Sequence, residues 1–198
     1  MSAPRVGIFG GSFNPIHMAH LAAADDARAA LGLDRVLFVS ARVPPHKDGA
    51  ALLDGEERAA LLSIALQGAP GLELSRVDLD RDGPSYTVET IRIVRGSLPA
   101  GAEVFFLMGA DSLADLATWR SPDEILRLAH VVVFPRLGHD LSTVPSEIRE
   151  RVRVLDTPLL AISSEEIRQR IRAGRPTRFL LPDGVWRRIA ERGHYRAG

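Results

Sequence analysis

The sequence predicts an α/β protein: a doubly wound, mainly parallel sheet with helices on both faces and a small helical C-terminal region. Three observations predict it. Short runs rich in Val, Ile and Phe alternate with helix-patterned stretches along the chain. The alanine-rich segment from His17 to Leu31, between the first two runs, is long enough to cross over the sheet, so the runs flanking it pair in parallel. The 198 residues suffice for one sizeable core, or a core with a small lobe, and are too few for two full domains. We therefore expect a single domain over residues 1–198, with a helical part from about residue 163 to 198.

The first strand is Arg5 to Gly10 (RVGIFG). In the helix after it, His17, His20, Leu21, Ala24 and Leu31 recur at helical spacing, and Gly32 provides the stop. Arg35 to Ser40 (RVLFVS) is the second strand. A helix from about Glu56 to Gln67 follows, opened by Asp54 with Glu57 completing a capping box. Strand Leu72 to Leu79, helix Tyr86 to Arg95 and strand Glu103 to Met108 continue the alternation. A helix at Pro122 to Leu128, strands His130 to Phe134 and Arg151 to Leu155, and helices Ser164 to Arg172 and Asp183 to Arg192 complete it.

Composition narrows the function. The 25 basic and 25 acidic side chains cancel, so no global basic field draws the chain onto nucleic acid. No apolar run reaches the roughly 20 residues that span a bilayer, and the start lacks the pattern of a secretory leader, so a cytoplasmic protein is expected. The absence of cysteine removes disulfide scaffolds, thiolate zinc sites and thiol nucleophiles.

In open parallel sheets ligands sit beyond the carboxyl ends of the strands, so the residues just after each strand carry the chemistry. Gly10-Gly11-Ser12-Phe13 lets the backbone approach a ligand, and the next helix aims free N–H groups at it. That reads as an anion site or as a plain tight turn; it matches neither the dinucleotide fingerprint nor the P-loop. His17 and His20 share one helix face beside this loop. They fit donors to phosphoryl oxygens best, against a zinc pair lacking its third ligand and ordinary polar helix-start residues.

His46 and Lys47 follow two prolines that stiffen the segment, and Lys47 is the only lysine in the chain. A compact ammonium there suits a phosphate, and the competing reading is a solvated pair left by a bias toward arginine. Ile162-Ser163-Ser164-Glu165-Glu166-Ile167-Arg168 is a helix start with Ser163 as cap and Glu166 at the third position. It also brings a second helix N-terminus and a guanidinium to the sheet edge. Asp111 suits a ribose hydroxyl, a metal-bound water or a cap, and Trp119 suits stacking or packing. Trp186 and Tyr195 read as core, and His130, His139 and His194 draw no functional reading.

Taken together, GGSFNPIHMAH, VPPHK, SYTVETI, MGADSLADLATW, AISSEEIRQR, LPDGVW and HYR, in this order, run nearly from end to end. The chain thereby resembles the nucleotidyltransferase superfamily with an H-x-G-H signature, and within it the bacterial nicotinate-nucleotide adenylyltransferases. The resemblance implies a Rossmann-like fold, ATP and nicotinate mononucleotide as substrates, Mg²⁺ on the phosphates, and a possible homo-oligomer.

It also implies roles. His17 and His20 hold the phosphates and stabilise the α-phosphoryl transition state; Gly10, Gly11, Ser12 and Phe13 approach ATP. Ile162, Ser163, Ser164 and Arg168 form the second ATP motif, Arg168 reaching pyrophosphate. Asp111 faces ribose, while His46, Lys47, Thr87, Thr118 and Trp119 form the acceptor side, Lys47 adding charge stabilisation. Two positions depart from the pattern: Ala19 replaces the signature glycine, and Glu165 replaces a threonine. The competing functions are the same chemistry on nicotinamide mononucleotide or phosphopantetheine, a nucleotide sensor without turnover, and a dehydrogenase. The missing G-x-G-x-x-G weakens the last of these.

Overall fold

The computed structural model describes residues 3–43, 52–158 and 160–196. Among them, strands β1 (Arg5–Gly11), β2 (Arg35–Ser40), β3 (Leu72–Ser75), β4 (Glu103–Gly109), β5 (His130–Phe134) and β6 (Val152–Val154) form one sheet in the order β3-β2-β1-β4-β5-β6. Every neighbouring pair is parallel. The order reverses between β1 and β4, and there the carboxyl ends of two adjacent strands open a crevice.

Alternate residues of each strand feed opposite faces, as the two-residue period of a strand requires. Phe9, Phe38, Phe105, Leu107 and Val132 point into one core, and Ile8, Val39, Phe106, Met108 and Val133 into the other. The first core is covered by helices α1 (Met18–Leu31), α2 (Gly55–Ala65), α7 (Ser164–Arg172) and α8 (Asp183–Arg192). The second lies under α3 (Thr87–Gly96), α4 (Ala110–Ala114), α5 (Pro122–Leu128) and the short α6 (Ser146–Arg149). Both faces are thus buried, which is why the strands read as nearly continuous apolar runs. Among the described residues no helix is long and apolar enough to cross a membrane.

Most element positions match the sequence reading, and three details differ. The third strand ends at Ser75 rather than Leu79, because Arg76 closes a turn: its carbonyl accepts from the N–H of Leu79 at 2.8 Å and its guanidinium binds Asp80 and Glu56. The apolar alternation of Val77 and Leu79 reflects burial in that turn. Asp54 is the residue before α2, yet its side chain makes no capping hydrogen bond, and Glu57 turns instead to Arg188 and His194. The short helices α4 and α6 carry too few turns to print a period in the sequence.

Candidate active site

β1 delivers the chain to the crevice at Gly10 and Gly11, and the following loop curls back over its end. Phe13 takes a left-handed backbone (φ 44°) that sets its ring edge-on to Phe9, with centroids 5.6 Å apart. A side chain on Gly11 would press into the Phe13 ring at 3.1 Å, so the close return of the loop needs glycine there.

The loop is anchored from several sides. The Gly11 carbonyl accepts from the N–H of Ala41 at 3.0 Å, and the Ser12 carbonyl from Arg58 NH1 at 2.8 Å. Arg58 is fully buried and spends its other donors on the Ser40 hydroxyl and on the carbonyls of Leu53, Ala41 and Arg42. Burial lowers its pKa from the ordinary guanidinium value, with Tyr195 and Asp54 pulling the other way. One cation therefore ties the glycine loop, the end of β2 and the approach to α2 together.

His17 is the N-cap of α1, with extended backbone, and His20 is the third residue of its first turn. His20 Nδ1 accepts from the His17 backbone N–H at 3.3 Å, which leaves the His20 ring proton on Nε2. The two rings stack with centroids 3.6 Å apart. His17 is 3% exposed, and burial, aided by the charge of Arg136, lowers its pKa to about 3. It is a neutral imidazole at neutral pH, a hydrogen-bond donor rather than a fixed cation.

The start of α7 joins the same loop. Ser163 caps that helix, accepting from the Glu166 N–H at 3.1 Å. Its expected capping-box partner, the Glu166 carboxylate, goes instead to Arg170 at 2.8 Å. The Ser164 hydroxyl donates to the Pro15 carbonyl at 2.8 Å, and Arg168 NH1 donates to the Asn14 carbonyl at 2.8 Å. Glu165 is exposed and accepts from Gln169 at 3.2 Å, so its carboxylate follows the helix surface.

These parts line one open cleft of about 920 Å³. Gly10 to Asn14, His17, Ala19 and His20 form one wall, and Ile162 to Glu166 with Arg168 form another. Asp111, Trp119 and Arg136 close the β4–β5 side, where Asp111 and Arg136 pair. A side chain on Gly109 would meet the Asp111 carboxylate, which would have to shift. Trp119 packs its edge toward Phe106 at 6.3 Å and also lines the cleft.

Two expected acceptor-side residues lie apart from the lining. Thr87 is the first residue of α3, and the exposed Thr118 donates its hydroxyl to the Asp115 carbonyl at 2.7 Å. His46 and Lys47 lie outside the described residues.

Among the described residues, Arg168 Nε, at the cleft, is a buried side-chain atom with no hydrogen-bond partner. Leaving such a group unsatisfied costs about 1–3 kcal/mol, a cost a bound anion would remove. Two helix N-termini, two imidazoles and two guanidinium groups around one cleft suit a polyphosphate. Arg58, Arg136, Asn14 and Tyr195 escaped the sequence reading. Arg58 sits within an apolar helix face with nothing to mark it, and the partners of the other three lie 25 to 181 residues away.

A cytidylyltransferase-like family model matches residues 8–170. A protein of Acidothermus cellulolyticus, described as a probable nicotinate-nucleotide adenylyltransferase, is 41% identical over 97% of this chain and 94% of its own length. A protein of Thermomicrobium roseum with the same description is 43% identical over 97% of this chain and 92% of its own. The solved structure of Plasmodium falciparum nicotinic acid mononucleotide adenylyltransferase complexed with NaAD superposes with a TM-score of 0.80. Its identity is 17% over 97% of both chains, a likeness of fold.

Proposed function

The chain belongs to the cytidylyltransferase-like family, alongside the bacterial nicotinate-nucleotide adenylyltransferases, and from that premise we propose that it transfers AMP from ATP to nicotinate mononucleotide. The products are nicotinate adenine dinucleotide and pyrophosphate, a step of NAD biosynthesis. The observation that carries the phosphate chemistry is the buried, unpartnered Arg168 Nε, in a cleft built from two helix N-termini and lined by His17 and His20. The acceptor rests on the descriptions of relatives more than 40% identical over nearly the whole chain.

In this reading an oxygen of the mononucleotide 5′-phosphate attacks the α-phosphorus of ATP in line, a P–O bond forms, and the bond to pyrophosphate breaks. The attacking oxygen is already an anion at neutral pH, so no general base is needed. The residues hold and stabilise. His17 and His20 donate N–H bonds to the α-phosphoryl oxygens, Arg168 and Lys47 offset charge on the phosphates, and the Gly10–Phe13 backbone approaches ATP. Ile162, Ser163 and Ser164 bring the second helix N-terminus to the triphosphate, and Asp111 meets the ribose. His46 and Trp119 complete the acceptor side, while Thr87 and Thr118, outside the cleft lining, are given no contact with the substrate.

Among the described residues no three metal-ligating side chains converge, and Asp111 is engaged by Arg136. A donor set of this kind fits Mg²⁺ held through substrate phosphates and water. When bound there, the ion neutralises part of the triphosphate charge. We assign the reaction to the cytoplasm and the whole chain to one nucleotidyltransferase domain. The test is incubation of the purified protein with ATP, Mg²⁺ and nicotinate mononucleotide, followed by mass measurement of the products. Formation of the dinucleotide with an equal amount of pyrophosphate is expected, and ATP binding without products would refute the proposal.

A further inference from the structure

Asn14 is tied to three distant parts of the chain. Its carbonyl accepts from Arg168 NH1 at 2.8 Å, and its side-chain Oδ1 accepts from the Leu53 N–H at 3.2 Å and from the Tyr195 phenol at 2.7 Å. The residue is 4% exposed and lines the cleft three positions before His17. The tyrosine bond joins the glycine loop to the segment that follows α8.

Both ends of that bond sit beside unusual backbone. Phe13, directly before Asn14, has φ 44°, and Tyr195 itself has φ 64°. Bulky L-residues hold this left-handed conformation only where their surroundings over-determine it. At Tyr195 the conformation turns the ring back toward the body of the protein. The neighbouring residue is fixed as well: His194 Nε2 lies 2.9 Å from Glu57, which also accepts from Arg188 at 2.7 and 2.8 Å. Burial raises the Tyr195 pKa against the lowering pull of Arg168 and Arg58, so the phenol keeps its proton and donates throughout the neutral range.

We propose that Tyr195 is a positioning residue for the transfer: its hydroxyl fixes the Asn14 side chain, and Asn14 fixes the loop that carries His17 to the reacting phosphate. The inference rests on the function proposed above and adds the C-terminal segment to the site. The loop keeps its other anchors when the hydroxyl is removed, Arg58 on Ser12 and Ser164 on Pro15. Loss of the hydroxyl therefore loosens the register of the loop without unfolding the protein.

The experiment compares the full chain with Tyr195→Phe, Asn14→Ala and the double variant. Deuterium exchange of the peptide covering residues 9–17 reads the loop, and pyrophosphate release with ATP, Mg²⁺ and nicotinate mononucleotide reads its effect. Tyr195→Phe should speed exchange in that peptide and lower kcat roughly tenfold, with KM for the acceptor within about twofold. In the Asn14→Ala background it should cost nothing further, because the two residues act as one unit. Unchanged exchange and kcat in Tyr195→Phe, or losses that multiply in the double variant, would overturn the proposal. Should Asn14→Ala fail to fold, exchange and kcat of Tyr195→Phe still decide. A wild type inactive on this acceptor, with exchange that still speeds up in Tyr195→Phe, refutes the acceptor and supports the clamp.

Discussion

The rings of His17 and His20 stack with centroids 3.6 Å apart and planes 19° from parallel. Two imidazolium charges at that spacing would repel by roughly 4–5 kcal/mol at an effective dielectric near 20, so the pair works with at most one charge. In the proposed reaction its task is donation of N–H groups to phosphoryl oxygens. His20→Ala should cut kcat by about a hundredfold or more, the size of losing one oxyanion donor. Its unfolding midpoint should stay close to wild type, because His20 is only half-buried. Pyrophosphate release and thermal unfolding on the same samples check both halves.

The buried neutral state of His17 makes stability depend on pH. Its pKa is about 3 in the folded chain and near 6.5 when unfolded, so the unfolded chain binds the extra proton and stability falls as pH drops below about 6.5. The slope is about 1.4 kcal/mol per pH unit, or about 2 kcal/mol by pH 5. His17→Asn should remove that part of the slope. Urea titrations of both proteins between pH 7 and pH 5 measure it, and parallel slopes would contradict it.

Among the described residues Arg58 has no carboxylate hydrogen-bond partner, and five hydrogen bonds run from it to carbonyls and one hydroxyl. Arg58→Met keeps much of the volume but strands those acceptors, and should cost about 3–5 kcal/mol of stability. Arg58→Lys, with three donors, should recover part of the loss. Denaturant midpoints of the two variants give the comparison.

Arg136 neutralises Asp111 at the rim of the cleft proposed to receive the triphosphate. Arg136→Ala leaves a bare carboxylate there and should raise KM for ATP about tenfold or more. The double variant with Asp111→Asn should recover part of the affinity if repulsion is the cause. Initial rates across ATP concentrations separate the two.

Strand runs and the helix periods made the parallel sheet and the first and seventh helices legible, because burial on both faces forces apolar runs and caps mark the helix starts, whereas the order of the strands came only with the structure. The two histidines, the glycine loop and the Ser163–Arg168 motif were legible for the same local reason: each is a short segment at a strand end. Arg136, Asn14 and Tyr195 were not, since each acts through a contact between segments far apart in the chain. Glu57 shows the opposite failure, a residue whose spacing fits a capping box but whose carboxylate is drawn to Arg188 and His194. Local pattern reports local bonding, and a long-range ion pair can outbid it.

The most direct measurement is the ratio of kcat/KM for nicotinate mononucleotide, nicotinamide mononucleotide and phosphopantetheine, read as pyrophosphate release with ATP and Mg²⁺. The account predicts release with a preference for nicotinate mononucleotide of about a hundredfold or more over either alternative, the size that pairing with the acceptor carboxylate would give. Equal or greater efficiency with another acceptor, or ATP binding with no release at all, would contradict it.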